Sequence, residues 1–340
     1  MSIISSELKW YKSETVTNTS ANGGKMSTNE IVDGIKNNIF ADVSQADRLS
    51  GKIFYRKVFG KLTNATSYPS DLEVLINPVF HLKTYTPGQD RVEMFITASP
   101  HTDTQADILG TEDMYGAGVL TSDVTAGATS FAMTLEDASQ VIYTATGNCV
   151  YISDGTNQEY HTNVDASKSG DTVTFTLQTP GDVIANSYTA ATPTLVATCY
   201  YGTLTELTPT FDALTATTAG DGDYTASGNL VGNNIGAVED TYTITFDNAD
   251  NISFTCTNSA AQTVGTGNKN SDFQPTNTDF SVEYFTLPSA GWTGTWAQND
   301  TLTIPAHPAS QGIWLKQTVP AGCNSYSGNN FYLRFGGESA

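Results

Sequence analysis

A chain of 340 residues that is 39% hydrophobic and 15% charged is longer than one hydrophobic core sustains and has too little Glu, Lys, Leu and Arg for a helical enzyme. Eleven Lys and Arg against nine Asp and Glu precede Val92, a balance of +2, whereas four against 26 follow from there on, a balance of −22. Such an acidic body repels nucleic acid, and the mixed-charge start suits docking on protein.

Thr, Asn, Ser and Gly fill most of what remains, and aromatic residues, 10% of the total, run along the whole chain. That balance predicts a mainly β, multidomain protein of short strands and polar turns, with enough burial to escape disorder. The start has no basic stretch followed by an apolar run, and no run approaches the roughly 18 residues that span a bilayer. Neither a secretory signal nor a membrane segment is expected.

Residues 1–50 read as an N-terminal arm. Trp10 and Tyr11 sit in the aromatic and basic stretch Leu8-Lys9-Trp10-Tyr11-Lys12, followed by a turn-rich run that ends in Asn22-Gly23-Gly24. Ser27 and Glu30 fit a capping box, and Ile31, Ile35 and Ile39 recur at four-residue spacing, which predicts a short helix over 26–38. A helix this short needs a partner surface, either its own domain or a neighbouring subunit.

From Lys52 alternation takes over, with Ile53, Tyr55, Lys57 and Phe59 facing one way and Phe54, Arg56 and Val58 the other. Strands are also expected at 72–83 and 92–97, separated by the turn Thr86-Pro87-Gly88-Gln89, and near the other end at 301–304, 312–319 and 330–335. The connector Val319-Pro320-Ala321-Gly322 before a closing strand suits a discontinuous immunoglobulin-like β-sandwich built from 51–109 with 300–340. Two insertions follow from this. One is a small β-barrel or sandwich over 110–202, with strands at 131–135, 149–152 and 172–177 and a closing strand at 195–201. The other is a second β domain over 203–299, with strands at 241–246 and 252–256.

Chemical motifs are sparse. His81, His101, His161 and His307 show neither HxxxH nor HExxH, and His101 with Asp103 reads better as a loop hydrogen bond than as a ligand pair, so no metal or other cofactor is expected. Asp221-Gly222-Asp223 and the acids of 247–250 lack the calcium-loop pattern. There is no GxSxG elbow, and Gly265-Thr266-Gly267-Asn268-Lys269 reads as a hairpin tip rather than half of a phosphate loop. Glu136-Asp137 and Glu239-Asp240, if on strands, face opposite ways and give no glycosidase pair. An enzyme is therefore not expected.

Trp292 and Trp296 fit either a core or a stacking platform for sugar. Lys52, Arg56, Lys57 and Lys61 alternate along a strand instead of forming a nucleic-acid patch. Cys149, Cys199, Cys256 and Cys323 are widely spaced and are expected to be free, buried thiols of a protein made in a reducing compartment.

Three groups of segments resemble a family of poorly characterised virion proteins from Mu-like and related tailed bacteriophages. They are Ser5-Ser-Glu-Leu-Lys-Trp10 with Asn22-Gly-Gly-Lys-Met26; Gln45-Ala-Asp-Arg-Leu-Ser-Gly51 with Tyr55-Arg-Lys-Val-Phe59; and His307-Pro-Ala-Ser-Gln-Gly-Ile-Trp-Leu-Lys316 with Val319-Pro-Ala-Gly322. The resemblance spans most of the chain, with the middle insertion departing furthest. It implies a non-enzymatic virion subunit assembled in the bacterial cytoplasm, with copies of itself and other virion proteins as partners. A tail tip or baseplate component in a symmetric oligomer is the leading expectation. Candidate assembly contacts are Trp10, Tyr11, Ile31, Ile35, Arg56 and Lys57. A capsid decoration protein is the alternative, and a carbohydrate-binding receptor module using Trp292 and Trp296 is the alternative of another class.

Overall fold

The computed structural model describes residues 3–65, 74–82, 90–191, 194–201, 206–226, 230–247, 250–325 and 331–339. Strand accounts for 48% and helix for 5%, so the chain is mainly β, as its composition implies.

Strands β1 (Leu8–Thr15) and β2 (Gly23–Glu30) form an irregular antiparallel hairpin, and no helix forms over 26–38. The polar groups of the expected capping box act across strands instead: the Ser27 hydroxyl donates to the Lys12 carbonyl at 2.9 Å, and Glu30 pairs with Lys9 at 2.9 Å. Ile31 N–H donates to Trp10 carbonyl, and Ile31 and Ile39 pack on a core while Ile35 is 60% exposed. An isolated short helix is marginal, and an available sheet edge offers the same backbone bonds with more burial. The helix that does form is α1 (Gln45–Ser50), where Ser44 accepts the Asp47 N–H at 3.1 Å, an N-cap that Ser44-Gln-Ala-Asp47 signals.

Helix α1 leads into β3 (Lys52–Leu62), followed by β4 (Leu75–Leu82) and β5 (Arg91–Phe95). The turn expected at Thr86–Gln89 lies outside the described residues. Six strands then build a closed antiparallel barrel: β6 (Ala117–Leu120), β7 (Ser130–Thr134), β8 (Asn148–Ser153), β9 (Gln158–Ser169), β10 (Thr172–Leu177) and β11 (Leu195–Tyr201). The hydrogen-bonded order is β6-β7-β10-β9-β8-β11, and β11 closes the ring by pairing with both β8 and β6. Alternation explains the interior: Val173, Phe175 and Leu177 point inward with Phe131, Met133, Val150, Ile152, Val164 and Val196. Each such side chain contributes roughly 1.5–3 kcal/mol on full burial, which gives this unit a core of its own.

A third sheet contains β12 (Asp240–Thr245), β13 (Ser253–Thr257), β14 (Thr263–Asn268) and β15 (Thr301–His307). Residues 301–304, expected with the chain ends, pair here instead, Ile244 opposite Leu302 and Tyr242 opposite Ile304. The reason is the match of inward faces: Tyr242, Ile244 and Phe246 meet Leu302, Ile304 and Ala306 in one buried cluster. Gly265 and Gly267 lie on β14 rather than at a hairpin tip, and a side chain on Gly267 would come within 2.7–2.9 Å of the Phe273 and Phe254 rings.

The last strands are β16 (Ser310–Val319) and β17 (Leu333–Ser339). β16 runs antiparallel to β3 over ten residue pairs, and the central sheet has the order β2-β1-β3-β16-β5. β17 pairs with β4, which also pairs with β11 of the barrel. The central sheet and the β4–β17 layer enclose one core of Val58, Leu62, Phe80, Met94, Ile313, Leu315 and Phe335. The two ends of the chain are thus interlocked through both layers.

Candidate functional site

The odd-numbered residues of β3 project to the face of the central sheet opposite that core, and two lysines there are enclosed. Lys57 Nζ lies 2.7 Å from Asp103 Oδ1 and also donates to the carbonyls of Gly24 (2.9 Å) and Asp103 (3.0 Å). Phe59 and Trp314 lie around it at 5.0 and 5.9 Å. Burial lowers the Lys57 pKa, and Asp103 works against that. Asp103 Oδ2 receives the Thr97 hydroxyl at 2.8 Å and the indole N–H of Trp314. All three ammonium donors are engaged, so Lys57 is neither a free nucleophile nor a docking charge.

Among the described residues no carboxylate pairs with Lys61. Its ammonium donates to the carbonyls of Ile235 (2.7 Å) and Ala237 (3.2 Å), under the rings of Phe280 (4.7 Å) and Tyr11 (6.0 Å). Burial pushes it down to about 7. The loop it reads is fixed from its own side: the Asn233 side-chain oxygen accepts the N–H groups of Ile235 (2.8 Å) and Gly236 (3.0 Å), and Asn277 donates to the Gly236 carbonyl at 2.8 Å. Lys61 therefore joins the central sheet to the unit that carries β12–β15.

Beside this junction, four titratable side chains meet that are far apart in sequence. His307 Nδ1 is 2.8 Å from Glu239 Oε2 and its Nε2 is 3.3 Å from Asp212 Oδ2; His101 Nδ1 is 3.7 Å from the same Glu239 oxygen. The two imidazoles are 5.3 Å apart. Burial and the proximity of His307 and Lys57 hold His101 down to about 4. Burial also disfavours charge on His307, but Glu239 and Asp212 outweigh it and the net shift is upward. Burial raises Glu239 despite its bond to His307. Carboxylates occupy both nitrogens of His307, which leaves it no hydroxyl or thiol to activate.

The residues expected to make assembly contacts are mostly committed inside the chain. Trp10 packs edge-on against Phe80 and Phe335, Tyr11 is 4% exposed, and Lys57 is 2% exposed. Arg56 donates to the carbonyls of Thr17 (2.9 Å) and Tyr55 (2.6 Å) and to Asn18 Oδ1 (2.8 Å). Ile31 is half-buried. Ile35 alone of the six is openly exposed. The cause is that β1 and β3 are interior strands of the central sheet.

Trp292 and Trp296, the candidate sugar platform, pack against each other and against further aromatic rings. Trp296 is 1% exposed, stacks on Phe246 at 4.9 Å, and donates its indole N–H to the Thr293 carbonyl at 3.0 Å. Trp292 is enclosed by Tyr224, Phe246, Phe254 and Trp296 at 4.9–5.6 Å. Trp296 belongs to the core of the third sheet, and the partly buried Trp292 packs against that core.

Two further polar groups take their partners from distant parts of the chain. His161 bridges Asp182 (3.0 Å) and Glu159 (3.1 Å) at the barrel. Glu136 and Asp137 lie past the end of β7, and both line a cleft of about 260 Å³ with Arg91 and residues 320–323. The opposite-face argument fails there because the backbone bends at Glu136. Burial pushes Glu136 up to about 7. Among the described residues no group of three or more His, Cys, Asp and Glu side chains is placed to hold a metal ion, and no helix is long and apolar enough to cross a membrane.

No protein-family model matches the chain, and no match is found among curated proteins or solved structures.

Proposed function

We propose that the chain is a non-enzymatic structural subunit of a tailed-bacteriophage virion, acting at the tail tip or baseplate in a symmetric oligomer. The resemblance of its two ends to virion proteins supports the class. The physical support is the disposition of charged and apolar groups: Arg56, Lys57 and Lys61 hold the chain's own parts together. Exposed large apolar side chains are concentrated elsewhere. Of eleven such residues among those described, Val32, Ile35, Leu49 and Ile53 fall within residues 32–53. Large apolar side chains left in water along one stretch of chain make that stretch the candidate contact region. In this reading the central unit, two antiparallel sheets around one core, is the immunoglobulin-like sandwich.

The carrying observation is that apolar stretch, and it is tested by Ile35→Glu combined with Leu49→Glu. Both side chains are exposed, so the variant should keep the wild-type circular dichroism spectrum and melting temperature while failing to enter particles. Normal incorporation of the variant would reject this surface. Antibody labelling of intact particles separates the locations: signal at the tail end supports the tip, and signal over the head rejects it.

A further inference from the structure

We propose that Cys149 and Cys199 form a cross-strand disulfide site that staples the closing seam of the barrel, through thiol–disulfide exchange with a small-molecule disulfide of the glutathione type. The inference goes beyond the proposed role and does not depend on it.

Register carries the argument. Cys199 of β11 and Cys149 of β8 are direct partners in an antiparallel ladder, so their side chains leave the sheet on the same face. Directly opposed residues of such a ladder have Cα atoms about 4.5–5.5 Å apart, within the roughly 4.4–6.8 Å that a disulfide spans. Both thiols are free and buried in one cluster, and the Cys199 thiol also contacts the Ala197 carbonyl at 3.7 Å. The other two cysteines lack this arrangement: Cys256 stands opposite Ile244 and Gly265, and Cys323 lies outside any strand.

Position gives the pair its consequence. β8 and β11 are neighbours in space but come from distant parts of the barrel sequence, and their ladder is one of the two that close the ring. A bond there constrains the unfolded chain across the whole stretch between the two cysteines. The chemistry balances. One cysteine thiolate attacks the glutathione disulfide and expels one glutathione thiolate. The second cysteine thiolate then attacks the mixed disulfide and expels the other. Two Cys Sγ–H bonds and one glutathione S–S bond are lost, one Cys Sγ–Sγ bond forms, and glutathione takes up two protons and two electrons.

Access sets the timing. Cys149 and Cys199 are 2% and 1% exposed beneath Leu82, Tyr201 and Leu333, and burial with the neighbouring thiol pushes Cys199 well above the ordinary thiol range. Because the thiolate is the attacking species, the intact barrel reacts slowly and the bond forms when the seam is open.

The test uses the full chain, unfolded in urea and refolded either in excess oxidised glutathione or in reductant. Thiol titration in denaturant should fall from four groups to two, and peptide mapping should recover Cys149 linked to Cys199. The barrel transition should rise by roughly 5 °C in the oxidised sample. Cys149→Ser and Cys199→Ser should each abolish the link and the rise, whereas Cys256→Ser should keep both. Should a serine variant fail to refold, the wild-type peptide map decides alone. Four titratable thiols after equilibration, a link that involves Cys256 or Cys323, or a bridge with no rise in melting temperature would overturn the proposal.

Discussion

Lys57 on β3 and Asp103 in the loop after β5 form an ion pair at 2.7 Å whose side chains are 0% and 2% exposed. The carboxylate also holds the indole of Trp314 on β16, so one acid ties together the loop and two central strands that come from opposite ends of the chain. The pair orders the junction, but its presence alone is weak evidence of net stabilisation, because removing two charges from water costs several kcal/mol per ion before their attraction is counted.

That distinction is measurable with a double-mutant cycle. Lys57→Met leaves Asp103 buried without its counter-charge and should destabilise the protein by about 3–5 kcal/mol in urea titrations. Lys57→Met combined with Asp103→Leu should recover a large part of that loss. Additive losses in the double variant would mean that the two residues do not act as a pair.

Gly23 should not tolerate a side chain. Its φ is +109°, and a Cβ there would lie 2.8 Å from the Trp314 ring and 2.9 Å from the Asp103 carbonyl. Gly23→Ala combines backbone strain with overpacking against a fully buried ring, and a loss of roughly 2–4 kcal/mol is expected. A crystal structure of the variant should show Trp314 displaced, with its bond to Asp103 lengthened or broken. A wild-type melting temperature for Gly23→Ala would contradict this packing.

Lys61 makes stability depend on alkaline pH. Its ordinary value is 10.5 and its value in the fold is about 7. Between those limits the unfolded chain keeps a proton that the folded chain has released. This contribution therefore makes stability rise with pH across the window, with a slope of up to about 1.4 kcal/mol per pH unit. Lys61→Met removes the titrating group, so the difference in unfolding free energy between the two proteins should change steadily from pH 7 to 10. A difference that stays constant over that range would show that Lys61 keeps its ordinary proton affinity.

The strands that were legible in the sequence are those in which alternation and burial coincide. Val173, Phe175 and Leu177 announce β10, and Tyr242, Ile244 and Phe246 announce β12, because every second side chain is apolar and fully enclosed. β9 was missed: twelve residues long, it buries only His161 and Val164, too few for a period to appear. The false helix over 26–38 came from Ile31, Ile35 and Ile39, whose spacing is helical but whose burial is not shared. The junction was illegible for another reason. Lys61 meets Ile235, and His101 meets Glu239 and His307, only after the sheets are stacked. Nothing local in the sequence encodes those distances, and a charged residue on an alternating strand reads as solvent-facing until its neighbours are known.

Trp296 separates a structural from a sugar-binding role. Its ring is held on both counts that matter for a core side chain, stacking on Phe246 and donation to the Thr293 carbonyl, and it offers no open face to a pyranose. Trp296→Ala should therefore create a cavity beside Phe246 and Trp292 and cost about 3–5 kcal/mol. The loss should appear as a lower urea midpoint and, because the third sheet has its own core, as earlier proteolysis within 206–307. Wild-type protein passed over immobilised glycans should not be retained. Retention of the wild type combined with an unperturbed but non-binding Trp296→Ala variant would restore the receptor reading and remove this residue from the core.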